Sequence, residues 1–306
     1  MSQRRALRCA AAILAVALAA CGEEPERRAG PERRIVVMAP WAAETIAALG
    51  AADEVVGVGD FVSWPPALAT LPKVGAYDQP NLETLLALHA NLFVSTRSQA
   101  AATQHARLRD FGIEVVELDT ATYRGTLAAI STLGGRLERG EAARALVDAI
   151  ERRVGAVRDR AAAAPRRLVL VAVGQEPLFV AGPGSHLDEL VTVAGGENAA
   201  RDAQSPWAML SVEAAIAARP QVIVDSSDNR PGAPRGRSPG IWARWPFLPA
   251  VAENRVYALD PARISIPGPR LGEMAELMGK LIHPEIFGEA TSEEMGPLVA
   301  GRDDVH

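Results

Sequence analysis

Two stretches of this chain align with each other without a gap, and this repeat constrains the fold more than any other feature. They are residues 81–95 (NLETLLALHANLFVS) and residues 211–225 (SVEAAIAARPQVIVD), which lie 130 positions apart. Each begins with a residue that commonly caps a helix, has a Glu two positions later, and ends in an apolar run typical of a buried strand. The repeat predicts two similar α/β lobes.

Short apolar runs alternate with helical patterns in both halves of the chain, which predicts parallel sheets covered by helices. Between the halves, residues 140–164 carry apolar side chains at three- to four-residue steps, and Pro165 ends the pattern. At ~1.5 Å per residue the predicted helix spans about 36 Å. Its periodicity fits an ordinary core helix equally well, but the similarity of the flanking sequences favours a connection between two lobes.

The predicted fold class is therefore α/β, with two Rossmann-like lobes whose parallel sheets are joined by one long backbone helix. The first lobe is expected over residues 34–133, the connecting helix over residues 134–165 and the second lobe over residues 166–288. Residues 289–306 are expected to form a tail. Because ligands of such sheets sit beyond the carboxyl ends of the strands, a site is expected where the lobes meet.

The N-terminus has the pattern of a targeting segment. Residues 1–20 contain three Arg followed by an apolar run too short to span a bilayer. The run ends in Leu-Ala-Ala before Cys21, which predicts a lipoprotein signal peptide and lipidation of Cys21; a plain signal peptide with an incidental Cys is the alternative. Residues 21–33 are expected to be a flexible tether, which places the protein on a membrane in the periplasm or at the cell surface. Cleavage leaves one cysteine, so no intramolecular disulfide is expected.

Composition and motifs argue against several other functions. The formal net charge is −5 and no stretch clusters Lys and Arg, so no nucleic-acid partner is expected. The five His residues lack metal-ligand spacing, so no metal site is expected. Ser185 and His186 are adjacent, but the chain has no G-x-S-x-G pattern of a hydrolase. A secreted, hydrolase-like α/β enzyme remains the alternative function.

The repeat also pairs aromatic and acidic residues. Tyr77 and Trp207 each lie four residues before a helix cap, and Glu83 and Glu213 each lie in the first turn of the helix that follows. Singly, each Glu is explained by the helix dipole and each ring by core packing. Together they indicate a two-walled cleft beside a matched pair of negative charges.

Several short motifs follow one another in the order found in one known family. They are residues 56–58 (VGV), 64–66 (WPP), 71–75 (LPKVG), 80–83 (PNLE), 194–198 (AGGEN), 218–224 (ARPQVIV) and 283–287 (HPEIF). With these motifs the chain, over about residues 34–288, resembles the periplasmic metal-chelate binding proteins of ABC importers, of the vitamin B12 and ferric-siderophore type.

The resemblance implies a monomeric receptor with no cofactor of its own, which captures a small-molecule metal chelate and delivers it to an ABC transporter permease dimer. One Glu per lobe docks on the permease in that family, and Glu83 and Glu213 match those positions. Cobalamin is the first expectation for the chelate, with a ferric siderophore or heme as alternatives. The ligand-binding residues that match or lie near family positions are Phe61, Tyr77, Trp207, Asp260 and Arg263, with Trp41 and Trp64 as further cleft candidates.

The chain also departs from the family pattern. Tyr77 stands where the vitamin B12 binder has a Trp. Arg97, Arg263 and Arg270 would suit an anionic siderophore equally well, or would be surface charges. The sequence alone assigns neither a position in the fold nor a role to the polar loop at residues 232–240.

Overall fold

The structure, a computed structural model, describes residues 32–77, 79–228, 230 and 232–297. The predicted signal peptide, Cys21 and most of the predicted tether lie outside these residues. No helix in the described ranges combines the length and the apolar character needed to cross a membrane.

The first lobe is built on a parallel sheet. Its strands are β1 (Ile35–Val37), β2 (Val55–Val58), β3 (Gly75–Ala76), β4 (Gln79–Pro80), β5 (Leu92–Thr96) and β6 (Glu114–Leu118). Four of them form a parallel sheet in the order β2-β1-β5-β6, and β3 pairs with β4 as a small hairpin. The helices are α1 (Pro40–Ala48), α2 (Pro66–Ala69), α3 (Leu82–Ala87), α4 (Ala102–Asp110) and α5 (Tyr123–Arg136).

The long helix is α6 (Gly140–Ala161), whose 22 residues span about 33 Å. It begins later and ends earlier than the predicted segment of residues 134–165. Gly134, the first residue of the predicted connecting helix, lies inside α5 instead. A Cβ at Gly134 would stand 2.2 Å from the Cβ of Ala143 on α6, so this glycine permits close contact between the two helices.

The second lobe repeats the parallel sheet and extends it. Its strands are β7 (Arg167–Gln175), β8 (Leu178–Ala181), β9 (Gly196–Asn198), β10 (Trp207–Met209), β11 (Val222–Asp225), β12 (Gly236–Arg237) and β13 (Val256–Ala258). The parallel pairs give the order β9-β7-β11-β13, the same arrangement as in the first lobe. Antiparallel β8 and β10 extend one side and β12 the other. The helices are α7 (His186–Val193), α8 (Val212–Ala217), α9 (Pro249–Ala252), α10 (Leu271–Ile282), α11 (Pro284–Phe287) and α12 (Ser292–Met295).

The repeat predicted from the sequence is confirmed at the level of backbone angles. Asn81 and Ser211 cap the equivalent helices α3 and α8 by accepting hydrogen bonds of 3.0 and 3.1 Å from backbone N–H groups. After these helices, His89 and Arg219 adopt left-handed φ angles of 50° and 51°. These two residues are also 130 positions apart, so the lobes share a conformation that non-glycine residues rarely adopt.

Parts of the predicted tether and of the predicted tail make contacts with the folded lobes, which the sequence did not predict. Arg33, the last residue of the predicted tether, donates to the Glu54 carboxylate at 2.9 Å. Residues 289–297, in the predicted tail, contain α12 and the buried Met295. In the loop of residues 232–240, β12 adds an edge strand beside β13.

Candidate functional site

Phe61 and Tyr77 form an exposed stacked pair on the first lobe. Their ring centroids lie 5.3 Å apart, and the rings are inclined by 11°. Phe61 follows the carboxyl end of β2, and the Gly59 N–H donates to the Val37 carbonyl at the end of β1, which fixes this stretch to the sheet. Partial burial raises the pKa of Tyr77 to about 12, so its hydroxyl stays protonated at neutral pH.

An apolar face on the second lobe extends from Trp207. Trp207 begins β10, and in the antiparallel register Met209 lies opposite Phe179 on β8. Cross-strand partners and residues two apart share a face of a sheet, so the three side chains lie together. All three are exposed. Phe179 and Met209 were not predicted from the sequence, although the spacing of Met209 two residues after Trp207 is the strand signal that would have indicated it.

His186 connects this apolar face to the first lobe. Its ring contacts Trp207 edge-to-face, with the centroids 5.6 Å apart. Its backbone N–H donates to the Ala121 carbonyl of the first lobe at 2.8 Å, and its Nε2 donates to the Ile264 carbonyl at 3.0 Å. Burial lowers the pKa of His186. Trp207 therefore lies near the junction of the lobes, supported by a neutral imidazole.

A buried ion pair also crosses the junction. Arg270, in the segment before α10, donates to both carboxylate oxygens of Glu44 on α1 at 2.7 Å each. A third donor of Arg270 contacts the Ala262 carbonyl at 2.8 Å. Arg270 is therefore engaged inside the protein, whereas Arg97 is exposed.

The remaining predicted aromatic residues are less accessible. Trp41 is only 3% exposed, and its indole N–H donates to the Thr96 hydroxyl at 2.8 Å. Trp64 is half-buried in the irregular stretch that also contains Phe61. Among the described residues, the ring of Trp207 contacts that of His186 and not those of Phe61 and Tyr77.

Asp260 and Arg263 lie after β13 and are engaged within the second lobe. The Asp260 carboxylate accepts from the Ala262 N–H at 3.0 Å and lies 3.6 Å from Nη2 of Arg235. The Arg263 guanidinium donates to three carbonyl groups of residues 289–297.

Glu83 and Glu213 occupy equivalent positions in the first turns of α3 and α8. Both residues are exposed, and neither forms an ion pair within the part of the chain that the structure describes. The structure thus leaves two like charges, one on each lobe, accessible to a partner.

The buried histidines have protein partners. His105 contacts the Glu117 carboxylate at 2.9 Å, and His283 contacts that of Glu285 at 2.9 Å. Across the described ranges, no group of three or more His, Cys, Asp and Glu side chains is arranged to hold a metal ion.

Two surface grooves run along α6, and none of the predicted site residues lines either of them. The larger, of about 750 Å³, lies between α5, α6 and α7, where Arg124 and Arg158 are mixed with Glu151 and Glu189. The smaller, of about 290 Å³, lies beside the end of α6. Because both signs of charge meet in the larger groove, it indicates no particular ligand.

Two similar lobes on one long helix, each with exposed aromatic rings, define a solute-binding architecture. The chain matches the model of the periplasmic binding protein family over residues 35–262. It therefore belongs to this family, and it is a binding protein and not an enzyme. The family resemblance inferred from the sequence is confirmed.

Individual relatives are similar in sequence or structure over much of the chain. The vitamin B12-binding protein of Salmonella typhi is 29% identical over 191 residues, which cover 62% of this chain and 71% of that protein. The uncharacterized ABC transporter substrate-binding lipoprotein YvrC of Bacillus subtilis is 27% identical over 264 residues, covering 84% and 82%. The solved periplasmic heme-binding protein from Pseudomonas aeruginosa is 25% identical, with a TM-score of 0.70 and coverage of 83% and 94%.

Proposed function

We propose that this protein is a receptor that holds a metal chelate between its lobes and delivers it to an ABC importer. The observation that carries the proposal is the presence of exposed rings on both lobes. Phe61 follows the carboxyl end of β2, where ligands of α/β sheets bind, and Trp207 lies near the junction of the lobes. The names of the relatives support the ligand class, and cobalamin is our first candidate. Heme and a ferric siderophore are the alternatives that the experiment distinguishes.

The proposed binding contacts are mainly apolar. The stacked pair of Phe61 and Tyr77 offers one flat wall, and Trp207, Phe179 and Met209 offer the other. Aromatic pairs contribute about 0.5–1.5 kcal/mol beyond the apolar area that they bury. We propose that Trp64 lines the edge of this site and that Trp41, which is buried, supports its floor.

The test is a titration of tryptophan fluorescence with cyanocobalamin, hemin and a ferric siderophore. Saturable quenching by one chelate is expected, and Phe61→Ala should weaken that chelate by about tenfold, which corresponds to about 1.4 kcal/mol. Phe247→Ala is the matched control, because Phe61 and Phe247 are both 58% exposed but Phe247, before α9, is in ring contact with none of the proposed site residues that the structure describes. Absence of saturation with all three chelates would contradict the proposal, and so would equal effects of the two substitutions.

We further propose that Glu83 and Glu213 dock on a permease dimer. Two exposed carboxylates in equivalent places suit a partner that presents a cation on each of two subunits, and such complementarity sets register and on-rate. The double variant Glu83→Arg with Glu213→Arg should abolish uptake and leave the affinity for the chelate unchanged. Normal uptake by this variant would refute the docking role.

We also propose that the protein is anchored to a membrane in the periplasm or at the cell surface through lipid on Cys21. The word lipoprotein in the name of the Bacillus relative supports this anchor. Cys21→Ser should move the protein from the membrane fraction to the soluble fraction of cells. Unchanged fractionation of the variant would exclude lipidation at this cysteine.

A further inference from the structure

Arg97 directly follows β5, at the carboxyl edge of the sheet in the first lobe. Its backbone N–H donates to the carbonyl of Leu118, the last residue of the neighbouring β6, at 2.9 Å. The preceding residue, Thr96, accepts a hydrogen bond of 2.8 Å from the indole of Trp41. These contacts fix the backbone beside Arg97, whose side chain is exposed. An exposed cation therefore stands at the edge of the sheet where ligands of α/β proteins bind.

The guanidinium of Arg97 differs from several other cations in the segments that follow parallel strands. Each of those donates to a carbonyl or a carboxylate of the protein; they are Lys73, Arg230, Arg235, Arg263 and Arg270. The Arg97 side chain forms no hydrogen bond or ion pair with any residue in the described ranges. All five of its N–H donors are available, so an anion can bind there without breaking a contact of the folded chain.

Asp60 is a second exposed charge at the same edge. It follows β2, and its backbone N–H donates to the Gly75 carbonyl at 3.0 Å. The sheet order β2-β1-β5 puts one strand between the strands that precede Asp60 and Arg97, so their backbones lie about 10 Å apart, at about 4.8 Å per strand. Phe61 directly follows Asp60. The edge thus carries rings and a negative charge on its β2 side and a positive charge on its β5 side.

We propose that Arg97 binds an oxyanion, a carboxylate or a phosphate, on the periphery of the chelate, a role that rests on the proposed function. A guanidinium presents two parallel N–H donors that match two oxygens of either group. The Asp60 carboxylate repels such a group, so the anionic side of the chelate faces β5. Arg97 therefore sets both the charge preference of the receptor and the orientation of its ligand, whereas the rings supply affinity that does not depend on charge.

The test measures the affinities of the natural chain and of its variants for two pairs of probes by quenching of tryptophan fluorescence. Hemin and hemin dimethyl ester differ in two carboxylates, whereas cyanocobalamin and dicyanocobinamide differ in the nucleotide loop that carries a phosphate. In one pair, Arg97→Gln should weaken the probe with the oxyanion by about tenfold and the probe without it by less than twofold. The pair whose affinity ratio changes identifies the oxyanion as a carboxylate or a phosphate.

Three further variants separate a bidentate contact from the general effect of charge. Arg97→Lys should retain only part of the preference, because an ammonium group keeps the charge and lacks the planar fork. Asp60→Asn should leave the preference unchanged or raise it by up to about twofold, because it removes a repelling charge about 10 Å away. Arg107→Gln is the matched control. Arg107 is exposed and also lacks a partner among the described residues, but it lies towards the end of α4, which runs back to the start of β6.

Thermal unfolding checks that the variants are folded, and Arg97→Gln should melt like the natural chain because its side chain is exposed. Equal losses for both members of each pair in Arg97→Gln would overturn the role of Arg97 and leave the proposed function standing. The same loss of preference in Arg107→Gln would also overturn it, because net charge would then explain the effect. Failure of the natural chain to bind any of the four probes would overturn it too, and the titration with a ferric siderophore would then decide the proposed function separately.

Discussion

Glu44→Ala should be among the most destabilising single substitutions at the junction of the lobes. The two carboxylate oxygens of Glu44 accept from Arg270 at 2.7 Å each, and the side chains are only 4% and 13% exposed. Removing the carboxylate leaves a buried guanidinium with the Ala262 carbonyl as its remaining acceptor. Breaking a buried pair in this way costs about 3–5 kcal/mol.

The assay is urea unfolding followed by circular dichroism, with the free energy of unfolding taken from linear extrapolation. Glu276→Ala is the matched control. Arg153 donates to both oxygens of Glu276 at 2.8 Å each, but these side chains are 44% and 43% exposed. Solvent screening limits such a pair to about 1 kcal/mol or less. Equal costs for the two substitutions would refute the view that burial decides the value of the pair.

The reverse experiment removes both charges. Glu44→Leu combined with Arg270→Met should recover most of the stability lost in Glu44→Ala, because no unpaired charge remains buried. A double variant as unstable as Glu44→Ala would show that lost packing, and not an unpaired charge, causes the effect.

Two further predictions concern helix packing and acid stability. Gly134→Ala should lower the free energy of unfolding by about 1–3 kcal/mol, because its Cβ would collide with Ala143. Gly135→Ala should raise it by up to about 1 kcal/mol, because nothing lies within 4 Å of the added Cβ; equal urea midpoints would contradict this contrast. Although burial alone would raise the pKa of Glu285, hydrogen bonds, the largest from His283, lower it to about 2. Its stabilising contribution is therefore present above pH 4.5 and lost as the pH falls towards 2, and Glu285→Gln should flatten the acid-unfolding curve in that range.

Much of the fold was predictable because its signals are local. Apolar runs indicated strands such as β5 and β11, and the caps Asn81 and Ser211 marked the starts of equivalent helices. The hairpin of β3 and β4 and the edge strand β12 were missed, because strands of two residues leave no periodic pattern. The boundary predicted between residues 133 and 134 was wrong, because Gly134 lies inside α5, where it permits close contact with Ala143 of α6.

The candidate site was predictable in part. Phe61 and Tyr77 were singled out separately, and the structure brings them into contact. The hydrogen bonds of Arg263 were not predictable from the sequence. Its partners are backbone carbonyls 30 and more residues away, and every residue has a backbone carbonyl, so no residue type marks such a partner. Trp41 on α1 is buried and donates to Thr96 at the end of β5, a contact distant in sequence that no local pattern reveals.

The equivalence of the two lobes has a consequence for how the receptor meets its proposed permease. A homodimer with two-fold symmetry presents the same surface twice, so matched carboxylates at 83 and 213 fit it in either of two poses related by a half-turn. The two poses are identical by the symmetry of the homodimer. The agreement of the lobes, which extends to the unusual backbone angles of His89 and Arg219, makes the two contacts within each pose alike. The second pose doubles the statistical weight of the complex, which amounts to about 0.4 kcal/mol of mixing entropy without one additional contact.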